Sequence, residues 1–190
     1  MFDGQFKTQI ERYVRPVGES LRRTGLSPDH FTILGLCVAA ASAVAIGAGK
    51  MQLGLLLVIC SALPDLLDGA LAKASNSASQ RGAFFDSVVD RVSDSFLFGG
   101  VAWFYASSNS PQFSIVPFAI LGASLIISYE RAKAESLGLY AKGGLMERAE
   151  RIILLCFGLL FDSLLKWVMV VMLVLVVMTA IQRFAKVWKQ

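Results

Sequence analysis

The chain has 190 residues, of which 55% are hydrophobic and only 17% charged, with a formal net charge of +4. A soluble globular domain has about a quarter of its residues charged. Here the mean hydropathy is +0.61, and several apolar runs reach about 18 residues, the length that crosses a bilayer. These features exclude a soluble enzyme and indicate one polytopic, all-α membrane domain. His30 is the single histidine, and Cys37, Cys60 and Cys156 sit in apolar segments at no metal-ligand spacing. A histidine-based metal site and a Ser-His-Asp triad are therefore not expected, and neither is a nucleic-acid partner.

Residues 1–26 read as an amphipathic helix next to the membrane. Phe6, Ile10, Val14, Val17 and Leu21 recur at helical spacing, and Lys7, Arg12, Arg15, Arg22 and Arg23 mark a polar side. Such a helix lies on a membrane surface or packs on the protein. The segment has no apolar h-region, so no cleavable signal is expected. Gly25 and Pro28 end it. Residues 27–190 form the membrane domain, with six spans expected near 30–48, 51–72, 84–106, 113–134, 150–164 and 166–186. The fifth carries Arg151 near its start and Asp162 near its end.

Charge sets the expected orientation. With both termini cytoplasmic, the outer loops fall near Lys50, Ser107–Pro111 and Lys166. Only Lys50 and Lys166 of the 18 Lys and Arg then lie outside, which is the positive-inside pattern. That orientation brings the end of span 2 and the start of span 3 to the cytoplasmic face of a multi-pass plasma-membrane protein.

This inner stretch holds Asp65, Asp68, Asp86, Asp90 and Asp94 between almost purely apolar flanks. Asp65 and Asp68 stand i, i+3 on one helix, and Asp86 and Asp90 stand i, i+4 on the next, so each pair shares a helical face. A short Ser-rich loop joins the two helices and lets the pairs oppose one another. Four converging carboxylates repel unless cations sit between them. Hard divalent ions, Mg²⁺ or Mn²⁺, suit such oxygen ligands, and two such ions about 4 Å apart are used to clamp transferring phosphoryl groups. Gly69 and Gly82 leave room for a phosphate or nucleotide near the backbone. Pro64 predicts a kinked span 2 beside a polar cavity. A proton or cation pathway, or neutralisation of Asp90 or Asp94 by Arg91, would account for single aspartates but not for the set.

In order, the residues read Asp65-x2-Asp68-Gly69-x2-Ala72-Lys73-x8-Gly82-x3-Asp86-x3-Asp90. This closely resembles the signature of the CDP-alcohol phosphotransferase family, D-x2-D-G-x2-A-R-x8-G-x3-D-x3-D, with every spacing kept. Lys73 stands where the family has Arg; it keeps the charge and loses the bidentate fork. The resemblance implies a six-helix membrane enzyme, a homodimer, with its active site at the cytoplasmic interface. It implies that Asp65, Asp68, Asp86 and Asp90 bind two divalent ions, Mg²⁺ or Mn²⁺, which hold the diphosphate of a CDP-linked lipid. It also makes Asp90 the general base, with Asp68, Gly69, Lys73 and Gly82 facing the CDP-lipid. The stretch GLSPDHFTILG resembles the family's segment opening span 1, which places Asp29 and Thr32 beside the nucleotide. By local chemistry alone, Ser27 or Asp29 would equally serve as a helix cap.

The second inner loop, ISYERAKAESLGLYAKGGLMERAERII, gathers Arg131, Lys133, Arg148 and Arg151 at the membrane edge, with Arg183 able to join from span 6. A positive-inside loop explains some of these, but charges within a span's end need a partner or a polar cavity, and a cationic cluster suits a phosphorylated acceptor. The patterns S-Y-x-[KR]-A-[KR]-A-E and G-G-x-x-E-R-x-E-R resemble the actinobacterial phosphatidylinositol-phosphate synthase branch of the family, whose substrates are CDP-diacylglycerol and inositol 3-phosphate. Here the basic pair is reversed, Arg131 then Lys133. The likeness implies acceptor-phosphate contacts at Ser128, Arg131, Lys133, Arg148, Arg151 and Arg183. Asp94 is left with two readings, a partner for Arg91 or a ligand of acceptor hydroxyls. The expected reaction is phosphatidyl transfer to inositol phosphate. Phosphatidylglycerophosphate synthesis is the alternative within the family, and a cation or proton transporter the alternative outside it.

Overall fold

The computed structural model describes residues 28–74, 79–141 and 143–190, with side chains described over 29–62, 79–141 and 143–190. The amphipathic helix expected over residues 1–26 lies outside the described residues. Within them the chain forms six α-helices and no strand: α1 (Pro28–Gly47), α2 (Met51–Ala74), α3 (Gln80–Ala106), α4 (Ile115–Ser136), α5 (Arg148–Leu160) and α6 (Leu165–Trp188). Short 3₁₀ turns at Pro111–Ser114 and Asp162–Leu164 lead into α4 and α6.

Local chemistry accounts for the ends. α1 opens on Pro28 with Asp29 in its first turn; proline's missing N–H is unneeded there, and the carboxylate favours the positive helix end. It closes at Gly49, which has φ 78°. Gly49 N–H donates to Ile46 O at 2.9 Å and Lys50 N–H to Ala45 O at 2.9 Å, a Schellman stop that turns the chain directly into α2. α2 stays helical through Pro64 to Ala74. α3 starts at Ser79, whose Oγ accepts from Gly82 N–H at 2.9 Å, a cap worth about 1 kcal/mol. α5 has only 13 residues, about 20 Å of rise against a hydrocarbon core of about 30 Å. The expected fifth span, 150–164, is thus a short helix plus a 3₁₀ turn, and the arginines at its start lie within the bundle.

The helices close into a ring. α1 packs on α2 and α3, α3 on α4, α4 on α6, α6 on α5, and α5 back on α2. Ile46, Val58, Phe98, Ile120, Leu155 and Met172 fill the centre, all fully buried. At Gly100 an added Cβ would stand 2.6 Å from Ala43 O and 2.7 Å from Ala43 Cα, so α3 and α1 touch backbone to backbone, as small residues permit between membrane helices. The outside is greasy: Val44, Phe118, Ile153, Trp167 and Val171 are exposed, a surface suited to lipid. Asp29–Gly47, Pro111–Ser136 and Asp162–Trp188 are long and apolar enough to cross a membrane, and Met51–Ala62 is a shorter apolar stretch. The molecule is an all-α integral membrane protein.

The two ends of the bundle differ. At one, Gln52 Nε2 donates to Leu160 O at 3.2 Å, Tyr105 stacks edge-on to Phe113, and Lys166 Nζ lies 5.0 Å from the centre of the Phe113 ring. The loops bearing Lys50, Ser107–Pro111 and Lys166 gather there. The aspartates of α3 and the arginines of α5 lie toward the other end.

Candidate active site

Between α3, α4, α5 and α6 lies a cavity of about 850 Å³, whose lining includes Asp90, Asp94, Ser128, Arg131, Glu147, Arg148, Arg151 and Arg183. Helical periodicity puts Asp86, Asp90 and Asp94 on one stripe of α3. Asp86 is half-buried, the Asp90 side chain is 18% exposed, and Asp94 is buried. Arg148 and Arg151, one turn apart at the start of α5, face them. Arg148 Nη1 meets Asp90 Oδ1 at 2.7 Å, and its Nε lies 3.5 Å from Asp94 Oδ1. Arg151 Nη2 donates to Asp94 Oδ2 at 2.7 Å, and its Nη1 donates to Met146 O at 3.3 Å.

These contacts correct one of the two readings of Asp94, the pairing with Arg91. It pairs with Arg151, not Arg91. Arg91 donates from Nη1 to Ser87 O at 2.9 Å and lies 3.4 Å from Asp90 Oδ2. Burying two charges costs several kcal/mol each unless they are paired; Asp94 and Arg151 are paired at 2.7 Å, while Asp94 Oδ1 and Arg151 Nε are buried without a hydrogen-bond partner.

Arg183 enters from α6. Its Nη1 donates to Ile127 O at 2.9 Å and its Nη2 to Gly143 O at 2.9 Å, with Glu147 Oε1 at 3.3 Å. It ties together α4, α6 and the loop before α5. Met146 N–H donates to Thr179 Oγ1 at 3.0 Å, so the same loop is fastened to α6 a second time. Arg131 sits on the cavity wall, its Nε donating to Glu135 Oε1 at 3.0 Å. Ser128 Oγ is turned onto Ser124 O at 3.1 Å. Lys133 is exposed in the last turn of α4 and does not line the cavity.

Of the residues expected to face the CDP-lipid, Asp29 is exposed and Thr32 buried. Gly82 has its N–H spent on the Ser79 cap. Asp65, Asp68, Gly69 and Lys73 belong to the last turns of α2, and their side chains lie outside those described. Among the described residues no group of three or more metal-ligating side chains is gathered. Asp86 and Asp90 supply hard carboxylate oxygens on one face, a donor chemistry that fits Mg²⁺ or Mn²⁺.

Two wall residues escaped the sequence reading as participants, Glu135 and Glu147. Glu135 was detectable as an i, i+4 partner of Arg131. Glu147 stands inside the quoted G-G-x-x-E-R-x-E-R pattern, but its partner Arg183 is 36 positions away.

A ring of apolar helices with a cavity lined by carboxylates and guanidinium groups defines an integral membrane protein with a charged internal site. The chain belongs to the CDP-alcohol phosphatidyltransferase family, whose model matches residues 26–182. Membership in a family of transferases sets the transporter reading aside. The chain is 36% identical over 154 residues to the phosphatidylinositol phosphate synthase of Mycobacterium marinum, a match spanning 80% of this chain and 66% of that one, just under two thirds of its length. It is 34% identical over 191 residues to the archaetidylinositol phosphate synthase of Methanothermobacter thermautotrophicus, covering 98% of this chain and 94% of that one. Among solved structures it resembles the Mycobacterium tuberculosis phosphatidylinositol phosphate synthase, with TM-score 0.87 and 34% identity. The structure of that protein with CDP-DAG bound is matched over 93% of this chain and 94% of its own. Its complex with manganese and citrate is matched over 92% and 88%.

Proposed function

We propose that the protein transfers the phosphatidyl group of CDP-diacylglycerol to a hydroxyl of inositol phosphate, releasing CMP and forming phosphatidylinositol phosphate in phospholipid synthesis. One observation carries this: Asp90 of the aspartate signature and the arginines of the second inner loop share one cavity, with Arg148 touching Asp90 at 2.7 Å. The named relatives differ in the lipid word and share inositol phosphate, which supports that acceptor over glycerol 3-phosphate.

In this reading Asp65, Asp68, Asp86 and Asp90 hold two divalent ions, Mg²⁺ or Mn²⁺. Such ions neutralise the diphosphate and stabilise the leaving CMP. Asp29, Thr32, Gly69, Lys73 and Gly82 flank the CDP-lipid. Ser128, Arg131, Arg148, Arg151 and Arg183 position the acceptor's phosphate; Lys133, off the cavity wall, is not among them. Asp90 takes the acceptor's proton as that oxygen bonds to the lipid-side phosphorus and the bond to CMP breaks. The buried Arg151 and Arg183 are preorganised by Asp94, Met146, Ile127 and Gly143, so little is spent in ordering them when an anion arrives. The six helices are read as six spans of a plasma-membrane homodimer, with residues 1–26 on the surface and the site and both termini cytoplasmic. The clustering of Lys50 and Lys166 at the end opposite the site supports that orientation.

The test is an acceptor screen with purified protein, CDP-diacylglycerol and Mg²⁺, products identified by mass. Inositol 3-phosphate should react, free inositol poorly, and excess chelator should stop CMP release. Preferred use of glycerol 3-phosphate would transfer the assignment to phosphatidylglycerophosphate synthesis.

A further inference from the structure

Asp90 is where the two halves of the cavity meet. Arg148 Nη1 holds its Oδ1 at 2.7 Å, and Arg91 Nη1 lies 3.4 Å from its Oδ2. A residue read as a cation ligand thus has both oxygens facing guanidinium groups. The two arginines are not equivalent. Arg91 belongs to the same helix, and its side chain is 37% exposed, so it turns into solvent at little cost. Arg148 comes from α5 and has a second hold, Nε 3.5 Å from Asp94 Oδ1. The other oxygen of Asp94 is taken by Arg151 at 2.7 Å. Asp90, Arg148, Asp94 and Arg151 therefore form a line of alternating charge from the cation side of the cavity to the acceptor side.

A carboxylate held by a guanidinium is a poorer ligand for a divalent cation, and the two positive groups repel at contact distance. We propose that Arg148 occupies the cation position on Asp90 in the unloaded enzyme and turns to the acceptor's phosphate when Asp90 takes a metal ion, so that cation loading raises acceptor affinity. This rests on reading Asp90 as a cation ligand and extends it to an order of binding. The charge count supplies the drive. Unloaded, the five acids of the cavity wall, Asp90, Asp94, Glu135, Glu147 and Glu150, balance its five arginines, Arg91, Arg131, Arg148, Arg151 and Arg183. Once Asp90 is occupied, four acids face five arginines, and the wall that Arg148 and Arg151 share with Ser128 and Arg131 carries surplus positive charge. A phosphate monoester of charge roughly −1.5 to −2 complements it. Asp94 serves as the pivot: Nε of Arg148 stays beside it while Nη1 swings. The linkage is reciprocal, so bound acceptor tightens cation binding by the same factor.

The experiment measures binding without turnover. Purified protein in detergent, with no CDP-lipid, is titrated with Mn²⁺ (free ion read by electron paramagnetic resonance) and with inositol 3-phosphate by calorimetry, with and without metal. The unmutated protein should bind the acceptor at least about fivefold tighter with metal, the lower range of ordinary site coupling. Arg148→Gln removes the competing charge, so Mn²⁺ should bind tighter than in the unmutated protein and the metal effect on acceptor affinity should fall toward onefold. Arg148→Lys retains a charge and should stay nearer the unmutated values. Unfolding temperature checks that each variant is folded, and the 31% exposure of the Arg148 side chain favours this. Unchanged or weaker Mn²⁺ binding by folded Arg148→Gln overturns the proposal while the cation reading stands. No Mn²⁺ binding by the unmutated protein overturns both.

Discussion

Asp94 of α3 and Arg151 of α5 lie 57 positions apart in the chain, yet meet at 2.7 Å with side chains only 5% and 4% exposed. Without Asp94, Arg151 keeps only its contact with Met146 O, and without Arg151, Asp94 keeps only the longer 3.5 Å contact with Arg148. Asp94→Asn should therefore destabilise the protein by about 3–5 kcal/mol, the usual cost of stranding one member of a buried pair. Combining it with Arg151→Gln should recover part of that loss. Denaturant unfolding in detergent measures both. Unfolding of Asp94→Asn at the unmutated midpoint would mean that the pair is not structural.

Arg131 offers a cleaner probe of the acceptor than Arg151. Its side chain is 43% exposed and its partner Glu135 is 48% exposed, a pair worth only about 0.3–0.5 kcal/mol. Arg131→Gln should raise the acceptor KM and leave both CDP-lipid affinity and unfolding unchanged. Arg151→Ala should disturb all three, because it also removes the closest partner of the buried Asp94. Steady-state kinetics beside a thermal melt separates the two patterns.

Asp90→Asn retains shape and loses the proton acceptor. Turnover should fall at least roughly 10²–10⁴-fold, the usual contribution of a general base, while CDP-lipid binding largely survives. A variant that keeps more than a tenth of the rate would remove Asp90 from the base role.

Gly100→Ala tests the backbone contact between α1 and α3. The new methyl would stand 2.6 Å from Ala43 O, and backbone cannot yield as a flexible side chain does. Overpacking of this kind costs typically about 1–3 kcal/mol. The unfolding midpoint should drop, and a stable Gly100→Ala protein would show that the two helices have room to separate.

Lys73→Ala should raise the KM for the CDP-lipid, the loss of one charge-assisted phosphate contact costing about 1.5–3 kcal/mol. Lys73→Arg should keep substantial activity. Unchanged kinetics in the alanine variant would place the side chain away from the nucleotide.

Much of the fold follows from the one-dimensional pattern. Hydrophobic runs bounded by Gly, Pro and Ser put spans at 30–48, 51–72, 84–106 and 113–134, and the helices run Pro28–Gly47, Met51–Ala74, Gln80–Ala106 and Ile115–Ser136. Helix formation in an apolar environment is local, because every backbone group must bond within its own segment. The stripe Asp86, Asp90, Asp94 was legible for the same reason: spacing along one helix determines its face. The signature from Asp65 to Asp90, likewise contained in one short stretch, sufficed for the family. What the chain could not disclose by itself was pairing across helices. Arg91 is adjacent to Asp90 and near Asp94 in sequence, but only the closing of the ring, with α5 held by α2 and α6, decides that Asp94 belongs to Arg151 and that Arg148 reaches Asp90. The shortness of α5, which brings its arginines into the bundle, and the tie of Arg183 to Ile127, Gly143 and Glu147 are decided in the same way. Charges buried in a low-dielectric interior must find partners, and which partners are within reach is a property of how the helices close into a ring, not of their order along the chain.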